Sequence, residues 1–201
     1  MSDLEIIEKL EANLPRRLKR LENITWFSKG FMIDENENVT HLSIFNLRLN
    51  GHFPDEIFKL KNLEYLDIRN NYIESIPAEI SLLTKLKYLD IRYNELAQLP
   101  NEFNSLTELQ KLYLGSNQFT GIPENLSNLS NLSLIDLSEN NIIIVSEYLF
   151  HLPALTNIYL NDNRIENMPF DKIPIKRISE MNISNNSIKN LPVTLSNKIK
   201  M

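Results

Sequence analysis

The chain repeats itself every 23 residues, and that period constrains its fold more than any other feature. LEYLDIRNNYIESIP from Leu63, LKYLDIRYNELAQLP from Leu86, LQKLYLGSNQFTGIP from Leu109, LSLIDLSENNIIIVS from Leu132, LTNIYLNDNRIENMP from Leu155 and ISEMNISNNSIKNLP from Ile178 align without a gap. A looser copy, VTHLSIFNLRLNGHFP, begins at Val39 and carries one extra residue around Asn50-Gly51. A fixed period of this size marks a solenoid or propeller, in which one unit that cannot bury its own apolar face stacks on the next. Within each unit, pairs such as Leu66-x-Ile68, Leu89-x-Ile91 and Leu112-x-Leu114 alternate as a strand with one buried face must. A strand followed by a return path pairs in parallel with the next strand through a right-handed crossover. The expected product is a short arc, with bulkier return segments outside and the sheet on its concave face.

Each copy follows LxxLxLxxNxL, then LP or IP and xxIxxL, as in Ile76-Pro77, Ile80 and Leu83. In this the sequence resembles the leucine-rich repeat family, specifically its intracellular Ras-group and short bacterial types, over seven consecutive copies. The resemblance implies an α/β right-handed solenoid that binds protein; for the Ras-group branch it implies small GTPases or signalling partners. The residues agree with it. Asn71, Asn94, Asn117, Asn140, Asn163 and Asn186 stand at the turn after each strand, where an amide can satisfy backbone groups that the bend leaves unpaired. Leu47 replaces asparagine in the first copy, which predicts an irregular coil. Pro54, Pro77, Pro100, Pro123, Pro169 and Pro192 enter the return paths, where a helix interior would exclude them. Short 3₁₀ turns and extended pieces are expected there. The copy starting at Leu132 has Val145-Ser146 where the others have proline, and adds Tyr148 and Phe150, so a helical turn or an outer apolar patch is expected.

A solenoid needs covered ends. Residues 1–38 read as an N-terminal helical and hairpin cap, and residues 39–201 as seven repeats in one continuous domain. Asp3 is placed to cap a helix carrying Leu4, Ile7 and Leu10, and a second segment after Pro15 carries Leu18 and Leu21. Trp26, Phe27, Phe31 and Ile33 bring large side chains toward the first coil, and Asp34 to Asn38 reads as a turn. The cations in Pro15-Arg16-Arg17-Leu18-Lys19-Arg20 read as the solvated face of a cap helix. At the other end Leu191, Leu195 and Ile199 have no such cover, and the strand around Met181-Asn182-Ile183 reads as a free edge. Either polar residues such as Glu180, Asn182 and Lys189 protect that edge, or a second subunit does, giving a homodimer.

Composition narrows the chemistry. A net charge of −5 opposes a phosphate backbone, and zero cysteines remove thiolate metal sites and cysteine nucleophiles. No apolar run approaches the roughly 18 residues of a membrane span, and the first residues lack the pattern of a secretory leader, so a cytoplasmic protein without a membrane partner is expected. His41, His52 and His151 fall at unrelated repeat positions, and the four glycines form no phosphate-binding run. The expectation is therefore no catalytic residue, no metal and no cofactor.

The informative positions are strand residues that point away from the core. One column holds His41, Tyr65, Tyr88, Lys111, Leu134, Asn157 and Glu180; the next holds Ser43, Asp67, Asp90, Tyr113, Asp136, Tyr159 and Asn182. A third holds Phe45, Arg69, Arg92, Gly115, Ser138, Asn161 and Ser184, with Tyr93 just beyond. Tyrosine and arginine are the residue types enriched in interface hot spots. The candidate partner-binding set is thus Phe45, Tyr65, Asp67, Arg69, Tyr88, Asp90, Arg92, Tyr93, Lys111, Tyr113, Leu134, Asp136 and Tyr159. The competing reading is structural: the tyrosines are good cross-strand neighbours, and the aspartates and arginines form a self-neutralised ladder. Functionally, a non-catalytic module binding a protein on the concave face stands against two alternatives. One is an assembly protein that associates through its last repeat, and the other is a bacterial effector or sensor subunit.

Overall fold

The computed structural model describes residues 1–192 and 197–201. Each repeat supplies one strand: β3 Val39–Ser43, β4 Tyr65–Asp67, β5 Tyr88–Asp90, β6 Lys111–Tyr113, β7 Leu134–Asp136, β8 Asn157–Tyr159 and β9 Glu180–Asn182. The cap adds β1 Lys19–Arg20 and β2 Gly30–Ile33, and β10 is Ile199–Lys200. Together they form one sheet in strict chain order, parallel throughout except where β2 meets β3 as an antiparallel hairpin. Equivalent repeat positions face each other, as in Tyr65 with Tyr88, Leu66 with Leu89 and Asp67 with Asp90. The expected leucine-rich-repeat solenoid is what forms, with its strands on the concave side.

The inward residues of each coil, such as Leu63, Leu66, Ile68, Ile73, Ile80 and Leu83, are fully buried. Each stabilises the stack by about 1.5–3 kcal/mol relative to exposure. Past each strand one residue is left-handed: Asn70, Tyr93, Ser116, Glu139, Asp162 and Asn185 all have φ between 53° and 57°. That bend turns the following asparagine side chain into the core. The first coil is irregular, with Asn46, Arg48, Asn50 and Gly51 all at positive φ.

On the outer face, Pro77 and Pro100 precede the 3₁₀ turns Ala78–Leu82 and Asn101–Ser105, and comparable short turns follow in the later coils. Ser146 replaces proline without changing the outcome, since Glu147–His151 is also a 3₁₀ turn with Leu149 and Phe150 buried. Tyr148 is tied down by its hydroxyl donating to the Pro123 carbonyl. The exposed apolar pair there is Ile143 and Ile144.

Both ends differ from the sequence reading. Ser2, not Asp3, caps helix α1 (Asp3–Glu11), exchanging hydrogen bonds with Glu5 in a capping box. Asp3 instead accepts from the Val39 N–H at 2.7 Å, tying the helix to the first coil. The basic stretch is not a helix face, because Lys19–Arg20 is strand β1, paired with β2. That pairing needs glycine at position 30, with φ 156°: a Cβ there would lie 2.1 Å from the Lys19 carbonyl oxygen. Asp34 does close the β2–β3 turn, accepting from the N–H groups of Asn36 and Asn38. At the far end β9 is not a free edge, because β10 pairs with it and Lys200 forms an ion pair with Glu180. Ile199 is partly buried there and Leu191 is exposed, while Leu195 lies outside the described residues.

Candidate functional site

The asparagine ladder is built as its chemistry requires. The Asn94 Oδ1 accepts from the N–H groups of Asn71 and Ile73, both in the preceding coil, while its Nδ2 donates to carbonyls of Ile68, Ile91 and Arg92. Asn71, Asn117, Asn140, Asn163 and Asn186 repeat this pattern of stitching backward. The first coil, lacking its own asparagine, has the Leu47 N–H satisfied by Asn71 at 2.8 Å.

On the concave face the strand period brings Asp67 beside Arg69, and Asp90 beside Arg92, as same-face neighbours two residues apart. Both pairs are bidentate: Arg69 reaches the two Asp67 oxygens at 2.8 Å each, and Arg92 reaches those of Asp90 at 3.0 and 2.6 Å. Cross-strand links are longer, at 3.4 Å from Arg69 to Asp90 and 3.8 Å from Arg92 to Asp136. Asp67 and Asp90 are fully buried, so the ladder is an internal one. Their role is to hold the arginines, and removing one partner of such a pair costs about 3–5 kcal/mol. Burial pushes the Asp90 carboxyl above its ordinary range against the pull of Arg92. Burial alone would lower Arg92, but its hydrogen bond and attraction to Asp90 outweigh that and raise it.

Above this ladder the aromatic rings are continuous. His41 stacks on Tyr65 at 5.6 Å, Tyr65 on Tyr88 at 4.3 Å, and Tyr88 meets Tyr113 at 5.2 Å in a tilted contact. Burial pushes Tyr65 up to about 12, with the charges of Asp67 and Asp90 adding to it, and Tyr88 and Tyr113 are raised chiefly by burial too. They are neutral phenols at ordinary pH. Tyr65, Tyr88, Tyr113, Leu134 and Tyr159 are partly exposed, while Lys111 and Tyr93 are open to solvent. Tyr159 donates to Glu180 at 2.9 Å.

One contributor to this face comes from outside the strand columns. Trp26, in the loop between β1 and β2, does not close the first coil but lies across the second and third. Its ring is 3.9 Å from the Arg69 guanidinium carbon and 4.6 Å from that of Arg92, and its carbonyl accepts from Arg69 at 3.0 Å. Phe45 covers Arg69 at 5.1 Å and Tyr113 covers Arg92 at 4.8 Å. The result is an alternating stack of Phe45, Arg69, Trp26, Arg92 and Tyr113. Lys29 secures the strap, sitting 4.6 Å over Phe45 and donating to the Asn46 carbonyl. Phe27 next to Trp26 is 84% exposed, so it covers nothing.

Among the described residues, no group of three or more His, Asp or Glu side chains is placed to hold a metal ion. No helix among them is long and apolar enough to cross a membrane. What this face offers chemically is a rigid aromatic surface over two arginines held in fixed directions by Asp67 and Asp90.

Comparison with known proteins agrees. No curated protein matches the chain significantly. Among solved structures, a leucine-rich repeat protein of Leptospira interrogans is 30% identical with a TM-score of 0.65, over 70% of this chain and 36% of its own. The ectodomain of the plant membrane receptor kinase GASSHO1/SCHENGEN3 from Arabidopsis thaliana, in complex with Casparian strip integrity factor 2, is 25% identical with a TM-score of 0.68. That match covers 92% of this chain and 24% of the receptor's. A TDR receptor is 32% identical with a TM-score of 0.64, over 74% of this chain and 27% of its own. The chain therefore spans little more than a third of these proteins at most. A family model described as a leucine-rich repeat region matches residues 39–198, and the chain belongs to the leucine-rich repeat family.

Proposed function

We propose that this chain is a non-catalytic module that binds a protein partner on its concave face, with Tyr88 and Tyr113 as central anchors and Lys111, Leu134 and Tyr159 beside them. One observation carries the reading: the aromatic row from His41 to Tyr113 is only partly buried and sits on a rigid sheet whose coils are already held by the leucine core. Folding does not require it. The leucine-rich repeat fold generally serves protein interaction, and the GASSHO1/SCHENGEN3 ectodomain is seen with a bound factor. A cysteine-free chain suits a reducing, cytoplasmic setting. The test compares wild type with a Tyr88→Ala/Tyr113→Ala variant of unchanged fold. A partner captured by the wild type is purified and titrated against both, and the variant should bind weaker by about 2 kcal/mol or more. Equal affinity would remove the function from this face.

A second reading, self-association through the last coil, is supported by Leu191 and Met201, each about half exposed. Sedimentation that changes with concentration would favour it.

A further inference from the structure

Halfway along the arc the third column of concave side chains changes character. Phe45, Arg69 and Arg92 are large, and the positions that follow are Gly115, Ser138, Asn161 and Ser184. Over the small half lies an open pocket of about 260 Å³ lined by Asp136, Ser138 and Asn161 together with Arg92, Tyr113, Leu134 and Tyr159.

Charge is unevenly paired there. Asp67 and Asp90 each hold a bidentate arginine, and Lys29 also faces Asp67, so the cations are gathered at one end of the ladder. Asp136 is the least compensated of the three carboxylates, with only the Arg92 Nη1 at 3.8 Å. Arg92 is not free to close that distance, being bonded to Asp90 and held between Trp26 and Tyr113. The Asp136 Oδ1 accepts from the N–H and hydroxyl of Ser138 at 3.0 and 2.6 Å, bonds that orient the carboxylate without cancelling its charge. Asp136 is 8% exposed, so water screens it weakly. The acids nearby, Glu139 and Asp162, hydrogen-bond neutral groups: Ser116 for the first, Asn161 and Asn185 for the second. Gly115 keeps the approach open, because a Cβ there would lie 3.0 Å from the Ser138 Oγ and 3.3 Å from both Asp136 oxygens.

From this geometry we infer that the cavity receives a basic side chain, lysine or arginine, of the protein partner. Its cationic head sits on the Asp136 carboxylate, and its apolar stem lies along Leu134 between the rings of Tyr113 and Tyr159. The inference rests on the concave-face reading and gives that face a polarity, with the strap and arginines at one end and a receptor for positive charge at the other.

The test uses the full chain and two acetylated, amidated pentapeptides, Gly-Gly-Lys-Gly-Gly and the same peptide with norleucine in place of lysine. Titration is followed by the ring resonances of Tyr113 and Tyr159. The lysine peptide should shift both saturably and the norleucine peptide should not. Asp136→Asn, which keeps an acceptor for Ser138, should weaken the lysine peptide at least ten-fold. Gly115→Ala, which leaves the charge intact and narrows the approach, should also weaken it, and decides the matter if Asp136→Asn proves unstable. No saturable shift, equal shifts from the two peptides, or an affinity unchanged in both variants overturns the inference. Failure here is separable from failure of the concave-face reading: a partner lost by the Tyr88→Ala/Tyr113→Ala variant but kept by Asp136→Asn sinks only the pocket.

Discussion

Replacing Asn117 by leucine keeps the branched side-chain shape and its number of heavy atoms while removing four hydrogen bonds, so the polar part of its effect can be worked from individual partners. The Asn117 Nδ2 donates to the carbonyls of Ile91, Leu114 and Gly115 at 3.1, 3.0 and 3.3 Å. None of these is orphaned by the change. Ile91 keeps Asn94 as donor at 2.9 Å, Leu114 keeps Asn140 at 3.1 Å, and Gly115 keeps the Tyr93 N–H at 3.1 Å. The Leu96 N–H is different, because the Asn117 Oδ1 at 3.0 Å is its acceptor and Leu96 is fully buried. An orphaned buried donor costs about 1–3 kcal/mol, and the three weakened carbonyls add a few tenths each, giving about 2–4 kcal/mol in all. Asn186 provides the internal control. It makes the same four contacts, and the donor it satisfies, the Ile165 N–H, is as fully buried as that of Leu96, so Asn186→Leu should cost a similar amount. The assay is equilibrium urea denaturation followed by circular dichroism and by the fluorescence of Trp26, the chain's single tryptophan, since repeat proteins need two probes to establish all-or-none unfolding. A loss below about 1 kcal/mol for either Asn117→Leu or Asn186→Leu would refute the orphan-donor argument.

Further expectations concern the strap, a strained turn and alkaline pH. Trp26→Ala removes two cation–π contacts at a partly exposed site and should destabilise the chain by about 1–2 kcal/mol, with faster hydrogen exchange at Thr25 to Lys29; unchanged exchange would mean that the strap is held without the ring. Tyr93 has φ 57°, a region disfavoured for a bulky residue, so Tyr93→Asn should raise stability by about 0.5–1 kcal/mol in the same denaturation assay. A lower midpoint would show that the ring's contacts outweigh the strain. Tyr65 is raised to about 12, and Tyr88, Tyr113, Tyr148 and Tyr159 are also raised. A folded state that favours the neutral phenol keeps its full advantage below the unfolded value of about 10 and loses it as pH climbs through the folded values. Stability should therefore fall from about pH 10 upward, and tyrosinate absorbance should show most of the seven tyrosines ionising late.

The repeat made the sheet, its register, the core and the asparagine ladder legible, because each is the same decision taken once per coil. Burial depth was less so. A period of two places Asp67 and Asp90 on the concave side, but only the packing of Arg69, Arg92 and the tyrosines over them makes them inaccessible. Trp26 was illegible for a related reason. Its position is set by contacts with residues 43 and 66 places away that obey no local spacing, and the loop holding it carries no periodic signal. Strands β1 and β10 are two residues long and are defined by their neighbours, with too few positions to alternate. The weak pairing of Asp136 needed distances, since the sequence shows three acids and two bases in these columns but not which acid lacks a close partner.

The ladder's backward stitching also gives the molecule a direction in time. A coil's turn obtains its side-chain acceptor only from the asparagine of the following coil, as Leu96 does from Asn117 and Ile142 from Asn163, each 21 residues later. During synthesis every newly emerged coil is therefore incomplete until the next one leaves the ribosome, and it completes its predecessor on arrival. A chain folding from its N-terminus would close like a zip whose teeth are fastened from ahead, beginning at the coil that α1 and the β2–β3 hairpin hold through Asp3 and Val39.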